Sequence, residues 1–170
     1  GGTPPFIALG ERAGGGSARV EQIKAALEAA GIDVRTPENI TAAMWQKLLF
    51  IASFGGVGAV TRMPVGILRS QPETRAMLET AMREVYTVAT ARGLPLAEDA
   101  AAQGMRQIDD FPPTATASMQ RDLMDGRPSE LEAQNGAVVR LGAEVGVEAR
   151  THTFLYHALL PMERRARGLI

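Results

Sequence analysis

The sequence predicts a mainly α-helical protein, a bundle of about half a dozen helices preceded by a short βαβ-like segment. From residue 39 onward, apolar residues recur at intervals of three and four, which is typical of helices that pack by one face. Before residue 39, two short apolar runs flank a single amphipathic stretch, in the order strand, helix, strand. We therefore divide the chain into an α/β segment, residues 1–38, and an all-helical domain, residues 39–170.

Composition bounds the class of protein. The 170 residues carry a formal net charge of -1, 45% of them are apolar, and none is cysteine. A chain of this length and apolar content buries a sizeable core, whereas the lack of a basic surplus argues against nucleic acid as a partner. The lack of cysteine excludes a disulfide framework and a thiolate metal site. Because neither a long apolar run nor a signal peptide is evident, we expect a cytoplasmic protein with no membrane partner.

The α/β segment begins with a predicted strand in Phe6–Gly10 and a glycine-rich loop. Ser17 is a suitable N-cap for the helix that follows, and Gly31 is placed to end it. Ile32–Arg35 predicts a second strand. Because two strands do not make a stable sheet alone, we interpret this segment as the C-terminal end of a larger α/β domain, and the chain as a fragment of a longer protein.

The helical domain opens with Asn39–Phe54, a helix that is apolar nearly all round and is therefore expected to be buried. The glycines at 55, 56 and 58 are expected to end it and to permit close backbone approach. Within the helix lies Lys47, and a desolvated ammonium costs free energy unless an anionic or electron-rich group meets it. Lys47 is therefore a candidate catalytic residue. The alternative is a lysine that extends its ammonium to solvent along an apolar stem.

Five further helices are predicted from apolar periodicity and from starting and breaking residues. Their predicted spans are Ser70–Gly93, Ala97–Ile108, Thr114–Asp125, Ser129–Gly146 and Thr153 onward. Capping-box spacing marks two of the starts, at Ser70–Glu73 and at Ser129–Glu132. Proline is expected in the first turn after Ser70, and Pro161 is expected to bend the last helix.

Two patterns resemble ligand-binding motifs but lie in the wrong structural context. Gly56-x-Gly58-x-x-Thr61 resembles a dinucleotide fingerprint, yet it lacks the third glycine and follows a helix where the fingerprint follows a strand. His152 and His157 are five residues apart with no glutamate between them, so they do not share one helical face as zinc ligands do. The sequence therefore predicts neither a nucleotide site nor a metal site in the helical domain.

Two segments carry a resemblance to a known family. Met44-Trp-Gln-Lys-Leu48 resembles the tryptophan-x-lysine-leucine segment of the ketopantoate reductases, or 2-dehydropantoate 2-reductases. Ser118-Met-Gln-Arg-Asp122, followed by Glu130 and by Asn135-Gly136, resembles the substrate-binding region of the same family. The resemblance extends from about residue 6 to residue 167, with the motifs in the same order and with similar gaps.

The resemblance implies a function for three residues. Lys47 would be the catalytic general acid, and Ser118 and Glu130 would bind substrate. It also implies a helical domain like the C-terminal domain of 6-phosphogluconate dehydrogenase, preceded in the whole enzyme by an NADPH-binding Rossmann domain. Residues 1–38 would be the remnant of that domain, so NADPH would be bound mainly by residues missing from this chain, which we expect to be inactive alone.

The residue types fit the reduction of a 2-keto acid. Hydride delivery to the C2 carbonyl builds negative charge on oxygen, which the Lys47 ammonium can stabilise and protonate. Glu130 can hold that ammonium or a substrate hydroxyl, and Ser118 can donate to the substrate carboxylate. A structural role is the alternative for both, because an acid is favoured in the first turn of any helix and Ser118 can be an ordinary helix serine.

The resemblance fails at three positions, where family asparagines near the substrate align with Ile51, Gly55 and Val65. Because these positions lack the asparagine side chains, the pocket is expected to be more apolar. Loss of side chains that bind a substrate hydroxyl also weakens discrimination between substrates with and without that hydroxyl. Two interpretations remain: an NADPH-dependent reductase of ketopantoate or of another 2-keto acid, and a non-catalytic helical dimerisation or binding module. The expected partner is a small 2-keto acid, with a homodimer as a candidate assembly.

Overall fold

The computed structural model describes residues 5–170, and within them the predicted mainly α-helical fold is confirmed. In chain order the elements are β1 (Phe6–Ala8), α1 (Ala18–Ala29), β2 (Asp33–Arg35), α2 (Ile40–Thr61), α3 (Val65–Ser70), α4 (Pro72–Ala91), α5 (Ala100–Asp110), α6 (Ser118–Met124), a π-helical turn (Glu132–Gly136), α7 (Ala137–Ala143) and α8 (Arg150–Ala166). The chain divides into two compact units, Gly1–Trp45 and Gln46–Ile170.

The first unit contains the predicted strand, helix and strand. β1 and β2 pair in parallel, with Ile7 opposite Val34, and α1 connects them. The Ser17 hydroxyl caps α1 by accepting a hydrogen bond from the Val20 amide at 3.2 Å. Gly31 follows the helix at φ +79°, a left-handed conformation that glycine adopts without steric cost. The local signals in the sequence thus placed both ends of α1 correctly.

The second unit has its core around the C-terminal part of α2, where every residue from Ala52 to Ala59 is buried. The longest of the other helices, α4, packs against α3, α5, α7 and α8 through an apolar face that is fully buried. Beyond the end of α5, the Phe111 ring stacks on Phe50 with centroids 5.5 Å apart. This contact fixes the segment after α5 against α2.

The glycines of α2 lie inside the helix, so the prediction that they end it is wrong. The helix continues to Thr61, and the glycines within it allow polar side chains to approach its backbone. A Cβ atom on Gly58 would lie 2.5 Å from Gln120 Oε1, and one on Gly56 would lie 2.7 Å from Asn135 Nδ2. The expectation of close approach is therefore confirmed, and packing outweighs the low helix propensity of glycine.

Both predicted capping boxes are wrong. Gln71 rather than Ser70 is the N-cap of α4, although the proline in the first turn is confirmed. The Ser129 hydroxyl accepts a hydrogen bond from the Leu131 amide at 3.2 Å, but the Glu132 carboxylate turns away to accept one from the Tyr156 hydroxyl at 2.5 Å. A π-helical turn replaces the regular first turns that a capping box requires.

Three helices begin elsewhere than predicted: α5 at Ala100, α8 at Arg150 and α6 at Ser118. The delayed start of α6 has a physical cause in α3. The carbonyl oxygens of Pro113 and Ala115 each accept a hydrogen bond at 2.9 Å from the first amides of α3. Those carbonyls accept hydrogen bonds from amides that have no partner within α3. The segment that contains Pro113 and Ala115 is therefore held outside α6.

Among the described residues, α2 is long and apolar enough to cross a membrane by length and composition alone. Its actual span, which runs through the glycines, gives it this length. However, 56% of its most apolar window is buried inside the protein, as in the core helix of a globular domain.

Candidate active site

One face of α2 carries the candidate catalytic lysine. Lys47, Ile51 and Gly55 follow each other at intervals of four residues and therefore share a face. Lys47 is exposed, Ile51 is half-buried and Gly55 is buried, so this face runs from solvent into the core. At about 1.5 Å of rise per residue, Gly55 lies about 12 Å beyond Lys47 along the helix axis.

The exposure of Lys47 corrects the prediction that this helix is buried on all sides. The first turns of α2 leave Met44 and Lys47 exposed, and only the later turns are enclosed. The alternative, in which the ammonium reaches solvent, describes Lys47 in this chain. An exposed ammonium is accessible to a ligand without any rearrangement of the core.

Ser118 is the first residue of α6 and is exposed. The predicted position inside a helix starting at Thr114 is wrong, because Ala117 is extended. Gln120 holds this end of α6 in place. Its Oε1 accepts a hydrogen bond from the Ala117 amide at 3.3 Å, and its Nε2 donates to the Met63 carbonyl at 3.1 Å, in the loop after α2.

Glu130 follows a segment that is anchored to α8. The Glu163 carboxylate, only 4% exposed, accepts hydrogen bonds from the Ser129 amide at 3.0 Å and from the Ser129 hydroxyl at 2.6 Å. Arg167 donates to Glu163 at 2.6 Å and to the Ser129 carbonyl at 2.9 Å. The backbone beside Glu130 is thereby fixed, while the Glu130 side chain itself is exposed and accepts a hydrogen bond from Gln134 Nε2 at 2.9 Å.

The π-helical turn places two consecutive amide side chains against α2. Gln134 is 5% exposed and Asn135 is fully buried. Asn135 Nδ2 donates to the Ala52 carbonyl of α2 at 3.1 Å, and Gln134 Oε1 lies 3.6 Å from where a Cβ atom of Gly55 would be. Single π-helical turns often occur at functional sites.

The segments that carry Ser118 and Glu130 meet at Gly55. A Cβ atom there would lie 3.7 Å from Ala117 Cβ and 3.0 Å from Met119 Cε, the two neighbours of Ser118 in sequence. It would also contact Gln134, the hydrogen-bond partner of Glu130. The structure therefore brings these two segments together on the α2 face that carries Lys47, but none of the hydrogen bonds among residues 5–170 joins Lys47 to Ser118 or Glu130.

Val65 lies in the core and not on this face. Its side chain is fully buried, and its amide donates to the Ala115 carbonyl at 2.9 Å. Of the three positions at which the sequence departs from the family pattern, Ile51 and Gly55 therefore belong to the Lys47 face. Val65 contributes to packing.

His152 has a structural role. Its Nε2 donates to the Ala81 carbonyl at 3.1 Å and its Nδ1 accepts from Asn135 Nδ2 at 3.1 Å, which links α8, α4 and the π-helical turn. Burial lowers the pKa of His152, so the ring is neutral. His157 is exposed on the same helix. Within residues 5–170, no group of three or more histidine and carboxylate side chains is arranged to hold a metal ion.

The glycines of α2 do not form a dinucleotide site. Gly56 and Gly58 are inside α2, and Asn135 and Gln120 occupy the space in front of them. A pyrophosphate needs glycine amides at the start of a helix that follows a strand. Gly56 and Gly58 therefore do not form a pyrophosphate site.

Sequence reasoning missed the roles of Gln120 and Gln134. One signal was present for each. Gln134 lies four residues after Glu130, the spacing of a side-chain pair on one helical face. Gln120 lies between Met119 and Leu123, two apolar residues that are buried. A polar residue at a core-facing position indicates a hydrogen-bonding role.

Comparison with known proteins identifies the family of this chain. A family model described as ketopantoate reductase PanE/ApbA C terminal matches residues 39–163. The 2-dehydropantoate 2-reductase of Nostoc sp. is 30% identical over 166 residues, which cover 95% of this chain and 52% of that protein. The crystal structure of 2-dehydropantoate 2-reductase from Methylococcus capsulatus is 33% identical with a TM-score of 0.85, over 95% of this chain and 51% of that one.

A D-mandelate dehydrogenase, solved with NADH and anilino(oxo)acetate, has a TM-score of 0.83 at 21% identity, over 94% of this chain and 67% of that one. At this identity the likeness shows the fold alone. The chain spans about half the length of the curated relatives it matches. Since the family model covers most of the helical domain, the chain belongs to the ketopantoate reductase PanE/ApbA C-terminal family.

Proposed function

We propose that this chain is the substrate-binding half of an NADPH-dependent reductase that converts ketopantoate to pantoate, a step of pantothenate and coenzyme A synthesis. The observation that carries the proposal is the meeting of the Ser118 and Glu130 segments at Gly55, on the α2 face that carries Lys47. Because the chain spans about half the length of its relatives, we propose that a nucleotide-binding domain precedes it in a cytoplasmic parent protein. Residues 1–38 would be the C-terminal end of that domain.

Lys47 supplies the proton in this proposal. A nicotinamide cofactor, held mainly by the preceding domain, would supply the hydride that is added to C2 of the keto acid. The Lys47 ammonium donates a hydrogen bond to the C2 carbonyl oxygen and transfers its proton as negative charge builds there. The neutral amine then takes a proton from water, so the residue is ready for another turnover.

Ser118 and Glu130 position the substrate. The Ser118 hydroxyl, exposed at the start of α6, donates to the substrate carboxylate. One Glu130 oxygen accepts from Gln134 at 2.9 Å, and the other is available to a substrate hydroxyl or to the Lys47 ammonium. Because the adjacent Ser129 is held by buried Glu163, the carboxylate is carried on a fixed backbone.

A second candidate is a reductase of another 2-keto acid. Ile51 is apolar and Gly55 has no side chain, so this part of the Lys47 face lacks polar side chains of its own. Such a face favours keto acids without the terminal hydroxyl of ketopantoate. A non-catalytic binding or dimerisation module is the third candidate, and a reported dimer of the Staphylococcus aureus ketopantoate reductase makes dimerisation worth measuring.

The test is an assay of the full-length parent protein with NADPH and a panel of 2-keto acids that includes ketopantoate and ketoisovalerate. Ketopantoate-dependent oxidation of NADPH supports the proposed function. Faster turnover of another keto acid supports the second candidate. A folded protein that binds NADPH but reduces no member of the panel supports the third candidate, a non-catalytic module. Gel filtration of the same preparation measures its oligomeric state.

A further inference from the structure

We propose that Gln134 is a specificity-determining residue whose amide oxygen accepts a hydrogen bond from a hydroxyl group of the substrate, an inference that rests on the proposed function. Gln134 is 5% exposed and belongs to the π-helical turn. Its Nε2 donates to Glu130, but its Oε1 is buried and has no hydrogen-bond partner among the described residues. A buried acceptor without a partner costs free energy, so a donor supplied by a ligand would be bound favourably.

Glu130 determines which end of the amide faces α2. An ionised carboxylate only accepts hydrogen bonds, so it holds the NH₂ group of Gln134 and leaves the oxygen turned towards Gly55. The group presented at Gly55 is therefore an acceptor. The carboxylate and keto groups of a 2-keto acid are also acceptors only, so a hydroxyl is the donor that such a substrate can offer to Gln134.

Access to this oxygen is possible from the Gly55 side. Gly55 contributes no side chain, and the nearest group to its Cβ position is Met119 Cε, at 3.0 Å. Met119 is 1% exposed and packs in the core with Leu123 and Leu131. A ligand therefore reaches Gln134 Oε1 from this side only when the Met119 methyl group, the mobile end of an unbranched side chain, moves aside. Gly55 shares the Lys47 face of α2 but lies about 12 Å beyond Lys47 along the helix axis, so a ligand held here reaches the ammonium only when the Lys47 side chain extends towards it.

Gln120 provides a matched comparison. It is a buried glutamine, 1% exposed, that also packs against a glycine of α2. However, both ends of its amide are used within the protein, by the Ala117 amide and the Met63 carbonyl. Its role is structural, whereas Gln134 has one end left for a ligand.

The test compares ketopantoate with ketoisovalerate, which lacks the hydroxyl, in the full-length enzyme. We expect Gln134→Leu to lower the ratio of the two kcat/KM values by about tenfold or more, through a loss for ketopantoate alone. Gln134→Met, which keeps an unbranched side chain, should do the same if the leucine variant is poorly folded. Gln120→Leu should lower the melting temperature but leave the ratio within about twofold of wild type.

A double variant moves the amide group from the π-helical turn to α2. Gly55→Asn combined with Gln134→Ala places an amide on α2 and removes the one on the π-helical turn, so part of the preference for ketopantoate should return. If the wild type shows no preference, or both single variants of Gln134 keep the ratio within about twofold, the inference is overturned while the proposed function stands. If the wild type reduces no 2-keto acid, the proposed function is overturned and the inference falls with it.

Discussion

Lys47 shows how exposure changes the expected result of a substitution. Because its side chain is exposed, Lys47→Ala in the full-length protein removes few packing contacts and should leave the melting temperature nearly unchanged. Loss of the proton donor should lower kcat by on the order of 10²–10³ or more, and kcat/KM should fall in parallel because the interaction belongs to the transition state. Steady-state kinetics with ketopantoate and thermal melting measure both effects.

Two other variants are compared with Lys47→Ala in the same measurements. Ser118→Ala should act mainly on KM, because the hydroxyl binds substrate in the ground state. Lys24→Ala removes the chain's only other lysine and should change neither parameter. Activity of Lys47→Ala within about tenfold of wild type, together with a much lower melting temperature, would make Lys47 a structural residue.

At the residue scale, the sequence identified Lys47 as unusual but not its environment. A single lysine in an apolar helix is visible in the pattern, whereas its exposure depends on which faces of the helix other elements cover. The spacing of Gln134 from Glu130 indicates that the two side chains pair, but the burial of Gln134 depends on the π-helical turn, for which the sequence has no clear signal.

At the scale of elements, local signals and packing determined different helix ends. Ser17 and Gly31 bound α1 through contacts close in sequence, and both were predicted correctly. The glycines inside α2 and the start of α6 involve distant partners, Gln120 for the first and the amides of α3 for the second. Such contacts are long-range in sequence, so local patterns did not reveal them.

Gly58→Ala tests whether close packing requires glycine at this position of α2. In an exposed helix, alanine is more favourable than glycine by about 1 kcal/mol. Here the new Cβ atom would lie 2.5 Å from Gln120 Oε1, so we expect the free energy of unfolding to fall by about 1–3 kcal/mol. Gly16→Ala, where a Cβ atom meets nothing within 4 Å, should change it by less than about 0.5 kcal/mol. Denaturant unfolding measures both, and an unchanged Gly58→Ala protein would mean that α2 tolerates a wider spacing.

At the scale of the whole molecule, the 170-residue chain alone should not bind NADPH with useful affinity. The glycines that resemble a dinucleotide motif are inside α2, and polar side chains fill the space beside them. Calorimetry of the chain with NADPH should show no saturable heat up to high micromolar concentration, whereas the full-length protein should bind. Micromolar binding to the chain alone would contradict our interpretation of residues 1–38 as only the end of a nucleotide-binding domain.

The stability of the whole molecule should fall as pH decreases below about 6.5, the ordinary pKa of histidine. Burial lowers the pKa of His152, so between its folded and unfolded pKa values the unfolded chain binds a proton that the folded protein does not. Its contribution is fully present above the unfolded pKa and is lost as pH falls, by at most about 1.4 kcal/mol per pH unit for one proton. Thermal melting between about pH 7.5 and 5 avoids the arginine-paired Asp99 and Asp109, whose lowered pKa values confine their titration to stronger acid.

The two histidines provide the variants that isolate this effect. His152→Gln removes the buried ring with its hydrogen bonds to Ala81 and Asn135, so it should lower stability at neutral pH and flatten the dependence on pH. His157→Gln changes an exposed histidine on the same helix and should leave both the stability and its pH dependence close to wild type. If the stability of His152→Gln fell as steeply with decreasing pH as that of the wild type, another group would titrate in this range. The neutral His152 ring would then make no measurable contribution to the pH dependence.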